Sequence, residues 1–321
     1  MSSPVLIIAA ADDWPTDRVV VELERHGVEV FRMDTSEFPQ QLSLAARIDQ
    51  GARAWMGDLS TEHRKVDLSR VGAVYYRAPG AFRFPQGMSG PEEGFAAAQA
   101  RAGLGGVLSS LDCRWMNHPT AMARAEYKPI QLKEARACGL RIPPTLITNR
   151  PQDVLDFAET MGDIVYKPVS SPVLIEAGQL KSVYTRRLRE GDLKDTQGID
   201  TTAHLFQKWV SKDYEARLTM VGDRAFGAAI YAGSDASHED WRSDYSALTY
   251  AAISVPTDVV SGMRRLMHRL GLRYGAADFV VDAQGDWTFL EVNPCGQWDW
   301  IQGNTELPIA EAIAHDLKGA T

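Results

Sequence analysis

Cysteine is scarce in this chain. The 321 residues hold three, Cys113, Cys138 and Cys295, and their wide spacing and odd number exclude a disulfide framework and offer no zinc-ligand spacing. Nowhere do eighteen apolar residues run together, and the opening MSSPVLIIAAADDW lacks the basic stretch of a secretory signal; a membrane partner is therefore not expected, and the cytoplasm is the expected location. Positive charge is not in excess. With 34 Lys and Arg against 42 Asp and Glu the formal charge is -8, which argues against nucleic acid as a partner. A glycine-rich phosphate fingerprint is also missing where it would count. The strand PVLIIAA, a helix over 15–26 stopped by Gly27, and the strand VEVFRMD begin a doubly wound half-domain, yet its first turn, ADDW, contains no glycine, so dinucleotide binding is not assigned. The later string RAGLGG follows a helical pattern instead of a strand, and close helix packing is the expected reason for its glycines.

What is present is an ordinary globular composition, 45% hydrophobic and 24% charged, long enough for two or three packed subdomains. The chemistry concentrates late, in YGAADFVVDAQGDWTFLEVNPCGQW at 274–298. Apolar and β-branched residues flank the turn AQGD, so two antiparallel strands are expected. Alternate side chains share a face, which directs Glu291 and Asn293 the same way and lets the partner strand bring Asp278 beside them. Two carboxylates and an amide oxygen make a hard donor set suited to Mg²⁺ held together with nucleotide phosphates. Cys295, next to this set, reads as a small buried thiol rather than a nucleophile.

Upstream, a hairpin or meander over 42–58, a strand at 71–79 and an alanine-rich helix at 92–111 continue the first domain. Arg77 stands at the carboxyl end of a buried strand, where α/β sheets bind ligands, although a salt-bridged edge residue reads equally well. Asn117-His118-Pro119 ends this domain. A helix then runs to Cys138-Gly139 with Lys128 beside Pro129, which bends or restarts it. PPTLIT is a strand, 151–161 a helix, and DIVYKPV a strand carrying Lys167, whose charge after apolar residues calls for a partner such as a phosphate oxygen. The loop SSPVLIEAGQL offers Ser170 and Ser171 as phosphate donors, with Pro172 and Gly178 beside them. A charged, mobile stretch at 185–200 follows. HLFQKWV, DYEARLTMVGD and RAFGAAIYAG alternate as three strands, placing Arg217 on the same face as Glu215. A polar loop containing DWRSD, a helix at 258–270 and a last helix at 308–317 complete the chain.

The string D-x(n)-E-x-N-P, formed by Asp278, Glu291, Asn293 and Pro294, resembles the metal-binding end of the ATP-grasp superfamily. YYRAPGAF, QARAGLGGVL, RWMNHPTAMARAEYKPIQL, GLRIPPTLITN, DWRSDYSALTY and LEVNPCGQW together look like one branch, the graspetide synthetases, relatives of the microviridin-type macrocyclases in their actinobacterial form. The resemblance implies an α/β (α+β) ATP-grasp fold: an N-terminal pre-ATP-grasp α/β domain at 1–118, a central lid domain at 119–205 and a C-terminal antiparallel-sheet domain with the metal site at 206–321. It implies Lys128 and Lys167 on the nucleotide phosphates, Gln207, Lys208, Trp209 and Val210 as the hinge reading adenine, and Glu215 on the ribose, with Asp213 as runner-up. It implies that Arg242 faces the transferred phosphoryl group as the arginine of a D-F-R-S-N string does in the glutamate-adding branch, with a structural ion pair to Asp240 or Asp244 as the alternative, and Arg217, on the face of Glu215, is a candidate to reach phosphate. ATP and Mg²⁺ are the implied cofactors. The implied partner is a precursor peptide with a leader and a Thr/Ser and Asp/Glu core, and a homodimer is implied as well. For Arg186, Arg187 and Arg189, facing an acidic leader or core and forming a plain solvated loop read equally well, and Asp240, Asp244 and Glu239 are candidate bases. The implied reaction is macrocyclisation through an acyl phosphate, giving ω-ester or ω-amide links. Two rival readings are a ligase of free amino acids and a nucleotide-binding relative without turnover.

Overall fold

The computed structural model describes residues 3–170, 173–176 and 179–319, with the strands at 173–176 and 179–182 described by backbone alone. Its first layer is a parallel sheet in the order Val30–Met33, Val5–Ile8, Ala73–Tyr76, Arg114–Met116. Val5–Ile8 is buried at every position, as a parallel strand covered on both faces requires. The expected hairpin is a meander of three strands, Ser43–Arg47, Met56–Ser60 and Lys65–Asp67. Helix Gly90–Ser109 starts at a capping box between Ser89 and Glu92, which satisfies two otherwise orphaned amides. RAGLGG is helical, but its glycines do not serve close packing: a Cβ at Gly103, Gly105 or Gly106 would meet nothing within 4 Å.

Pro129 restarts the next helix, giving Pro119–Ala125 and then Lys128–Ala137 with Lys128 as its first residue. A second sheet follows in the order Arg186–Arg187, Ile164–Lys167, His204–Lys208, Thr145–Thr148, antiparallel throughout. Helix Pro151–Met161 covers it by packing Val154 and Ala158 on Ile164 and Phe206. The boundary expected at 205/206 falls inside His204–Lys208, so that strand pairs with the central sheet. Where a loop was expected, a backbone hairpin of Val173–Glu176 and Gln179–Ser182 stands; Ser171, Pro172 and Gly178 lie outside the described residues. The charged stretch holds the strand Arg186–Arg187 and the helix Glu190–Lys194. Arg186 is paired with Asp192 and Arg187 with Asp163, so two of the three arginines that could meet a peptide already have acid partners.

The third sheet runs Leu248–Ile253, Arg224–Ala232, Tyr214–Val221, Tyr274–Val281, Trp287–Asn293, every pair antiparallel. Period-two alternation divides its residues between two faces. Ala216, Leu218, Met220, Phe279 and Phe289 turn to one core, closed by helix Thr257–Leu270 through Met263, Leu266 and Leu270. Val221, Ala228, Tyr274 and Ala276 turn to another, shared with Val5 and Ile7 of the first sheet and with helices Trp14–Arg25 and Ile309–Lys318. The second face is sealed only over part of its length. Further along the same strands, on the same parity, come Arg217, Glu215 and Asp278. Helix Asp299–Thr305, which the sequence reading did not expect, edges that open part.

Candidate active site

Strand register builds a row of charge across the open face. Arg217 lies opposite Asp278 and Asp278 opposite Glu291, and a register shift between Asp278 and Phe279 re-aims the strand at this point. Arg217 Nε is 3.1 Å from Asp278 Oδ1, yet neither atom has a well-directed hydrogen bond and both are buried. Lys128 Nζ reaches Glu291 Oε2 at 2.9 Å. Arg242 grips Asp240 with two bonds of 2.9 and 2.8 Å and approaches Glu291 Oε1 to 4.0 Å. Asp240 also accepts the Thr185 N–H at 2.9 Å, tying the central sheet's margin to this arginine. Glu215 is paired with Lys212, both nearly buried. Asn293 Oδ1 accepts the Cys295 N–H at 2.9 Å, which leaves one of its lone pairs.

Burial and neighbouring charge separate the carboxyls. Burial pushes Asp278 up to about 6 despite Arg217. Burial would raise Glu291 too, but Lys128 and Lys167 outweigh it and hold that carboxyl below its ordinary range. Asp240 resists burial through Arg242 and the Thr185 amide and sits at about 2. Burial lowers Lys167 although Glu291 and Glu215 oppose it. Burial also raises the Cys295 thiol, although the residue is half-buried and not buried as expected.

Two cavities meet here. A narrow one of about 50 Å³ is lined by Gln207, Lys208, Trp209, Val210 and Glu215. A wide cleft of about 770 Å³ is lined by Lys128, Arg217 and Asn293. Lys167, Trp241, Arg242, Asp278 and Glu291 line both. Asp213 lines neither: it is exposed, with its N–H on Val281 O, so geometry removes the runner-up for the ribose. In the hinge, Lys208 N–H is committed to Pro144 O and Trp209 N–H to Asp163 O. Arg77 does not face a ligand. Its guanidinium is buried and bonded to Asp13, to two carbonyls and to Gln297.

Sequence reasoning missed the aromatic wall. Trp241 and Trp300 lie 5.2 Å apart, Tyr250 stands against Trp300 at 5.3 Å, and Arg217 Cζ lies 5.5 and 5.6 Å from the two indoles. Those stacks fix the guanidinium at the cleft wall. Trp241 sat unweighed inside DWRSD, and Trp300 belongs to the unexpected helix. Lys212 gave no signal beyond its place three residues before Glu215.

The donor set fits a hard divalent cation in part. Among the described residues no group of three or more His, Cys, Asp or Glu could hold a metal. Two carboxylates and an amide oxygen are available instead, and the orphaned Asp278 Oδ1 is a buried oxygen seeking a partner. Such a set suits a cation completed by phosphate oxygens.

The model of the MvdD pre-ATP grasp domain matches residues 4–123, and no curated protein matches. Over the whole length the fold matches the Chryseobacterium gregarium RiPP-associated ATP-grasp ligase, solved with ADP and a leader and core peptide, at TM-score 0.90 and 27% identity, covering 98% of this chain and 96% of that one. Macrocyclase MdnC from Microcystis aeruginosa, bound with precursor peptide MdnA, matches at 0.84 and 28%, covering 99% and 100%. Macrocyclase MdnB of the same organism matches at 0.80 and 27%, again covering 99% and 100%. The fold is that of the ATP-grasp ligases, enzymes that use ATP. The structures it resembles within that class are RiPP-associated ATP-grasp ligases and macrocyclases. Among the described residues, no helix is long and apolar enough to cross a membrane.

Proposed function

We propose that this chain closes rings in a ribosomally made precursor peptide, activating Asp or Glu side chains as acyl phosphates with ATP. The observation that carries the reading is the meeting of a narrow pocket and a wide cleft at Lys167, Arg242, Asp278 and Glu291. One cavity takes the nucleotide, the other the peptide, and the phosphates lie between. On this reading Gln207 to Val210 hold adenine and Glu215 holds the ribose. Lys128 and Lys167 take the phosphates, and Asp278, Glu291 and Asn293 hold Mg²⁺, which neutralises phosphate charge when bound. The peptide carboxylate attacks the γ-phosphorus, the bond to the β-phosphate oxygen breaks, and ADP leaves. Arg242 and Arg217 stabilise the charge that spreads over the transferred group. A Thr or Ser hydroxyl, or a Lys amine, then attacks the acyl carbon, and phosphate departs with the electrons of the C–O bond. Of the candidate bases, Asp240 is committed to Arg242, and Asp244 accepts from Ser234 and Ser246; Glu239 borders the narrow pocket.

The division into a pre-ATP-grasp part, a central lid and a C-terminal part belongs to the same proposal, as does a homodimer, which sedimentation would test. Incubating the chain with ATP, Mg²⁺ and the small peptide encoded beside its gene should release phosphate and remove one water from the peptide per ring. A mass gain of one residue would instead identify a ligase of free amino acids. Phosphate release at background in the presence of peptide would identify a binding protein without turnover.

A further inference from the structure

The segment 291–297, which carries Glu291 and Asn293, is held from three directions by buried side chains, one of which, Gln131, also borders the wide cleft. Gln131, on helix Lys128–Ala137, brackets Val292, the residue between them: its Nε2 donates to Val292 O at 2.9 Å and to Ala125 O at 2.5 Å, and its Oε1 accepts Val292 N–H at 2.8 Å. Asn117, just after the last strand of the parallel sheet, donates to Pro294 O at 2.9 Å and Tyr274 O at 2.8 Å. Its Oδ1 accepts the N–H of Arg273 at 2.7 Å and of Tyr274 at 3.0 Å. Arg77, at the end of another strand of that sheet, donates to Cys295 O and Gly296 O at 3.2 Å and to Gln297 Oε1 at 2.6 Å. All three are between 1% and 3% exposed. Gly296 fills the remaining space: a Cβ there would lie 2.6 Å from Ala276 Cβ and 3.4 Å from Arg217 Nη1.

We infer that Arg77, Asn117 and Gln131 are positioning residues that set the place of Glu291 and Asn293 for the metal-nucleotide, and that fixing this strand end is shared by the N-terminal sheet and helix Lys128–Ala137. The inference rests on the reading given under Proposed function. Each of the three side chains bonds backbone of this segment, with further bonds from Arg77 to the Asp13 and Gln297 side chains, from Asn117 to residues 273 and 274, and from Gln131 to Ala125 O, and buried polar groups of this kind admit few alternative arrangements. Displacing the segment by even a fraction of an ångström moves both donors relative to Asp278, which sits on a different strand. Gln207 and Lys208, which line the narrow pocket, lie on the central sheet, and neither Arg77, Asn117 nor Gln131 lines that pocket.

That separation supplies the test. ADP affinity is measured by calorimetry with Mg²⁺ and again in EDTA, for the whole chain and for Arg77→Lys and Gln131→Glu. Gln131→Glu keeps the side-chain shape but turns the amide donor at Val292 O into an acceptor. Outer-sphere partners of metal ligands typically change metal affinity 10- to 100-fold, so the Mg²⁺-dependent gain in ADP affinity should fall by about that factor. Affinity in EDTA should stay within about twofold, because the bond to Val292 lies outside the adenine pocket. A Mg²⁺-dependent gain equal to that of the unaltered chain in either folded variant overturns the inference, and so does an equal loss of affinity with and without metal. If Arg77→Lys fails to fold, Gln131→Glu decides alone, with Gln131→Met as its uncharged control. An unaltered chain with no Mg²⁺-dependent gain at all would instead sink the nucleotide-site reading itself.

Discussion

Replacing Asp240 by asparagine isolates one buried charge pair whose worth can be worked out. The carboxylate is 4% exposed and accepts four bonds, three from Arg242 and one from the Thr185 amide. Held at about 2 instead of 3.8, it is worth about 2 kcal/mol at neutral pH. Because the folded state lowers this pKa, the contribution is full above the unfolded value near 3.8 and disappears as pH falls through about 2. Linkage puts the loss at about 1 kcal/mol by pH 3. The carboxamide of the variant has no such titration. Urea unfolding of both proteins at pH 6 and pH 3 should therefore show a stability gap of roughly 2–3 kcal/mol at pH 6 that narrows by about 1 kcal/mol at pH 3. Arg242 is one-third exposed, so water takes up part of its released charge and keeps the gap at the lower end. The same variant should release phosphate at least tenfold more slowly, since the guanidinium loses the group that aims it. A gap that is equal at both pH values would refute the reasoning, because the carboxylate would then not be the titrating group.

Glu215→Gln keeps the side chain's shape but weakens its hold on ribose hydroxyls. It should raise the KM for ATP about tenfold with kcat little changed, as removal of binding common to ground and transition state does; an unchanged KM would place the ribose elsewhere. Phe289→Ala, at a site fully buried against Phe279 and the helix Thr257–Leu270, should cost about 3–5 kcal/mol in denaturant unfolding. A cost below about 1 kcal/mol would mean that this core collapses freely around the void.

The late hairpin was legible because two facts suffice for it: alternate residues share a face, and a short turn fixes which residues meet. Asp278 and Glu291 follow from those alone. Lys128 was legible as the residue before Pro129, since a proline restarts a helix and so defines its first turn. Arg77 was not legible in the same way. Its position at a strand's end says that something will arrive there, but its acceptors come 218 and 219 residues later, and nothing local distinguishes a carbonyl of the chain from a ligand. The aromatic wall was hidden for a related reason. Trp300 stands on a short helix whose Gly303 and Asn304 disfavour a helical reading, and long-range packing keeps it in place: Trp300 on Tyr250 and Trp241, and Ile301 in the core shared with the first sheet. RAGLGG shows the reverse failure, a helix read correctly with a packing reason that the open space around its glycines does not support.

Three of the cleft's cations are already engaged: Lys128 on Glu291, Arg242 on Asp240, Arg217 beside Asp278. A triphosphate cannot simply add its charge to such a site; it must share or exchange these pairs. A divalent cation on Glu291 would weaken the carboxylate's hold on Lys128 and release the ammonium to phosphate, so metal and nucleotide should bind with mutual gain. Lys128→Met and Glu291→Gln should then be non-additive. Each alone lowers Mg-ADP affinity, but the double variant should fall short of the sum by roughly 1–3 kcal/mol, the range of couplings between contacting groups. Calorimetry on the four proteins completes the cycle. Strict additivity would mean that Lys128 and Glu291 meet the ligand independently, and that their 2.9 Å contact takes no part in binding.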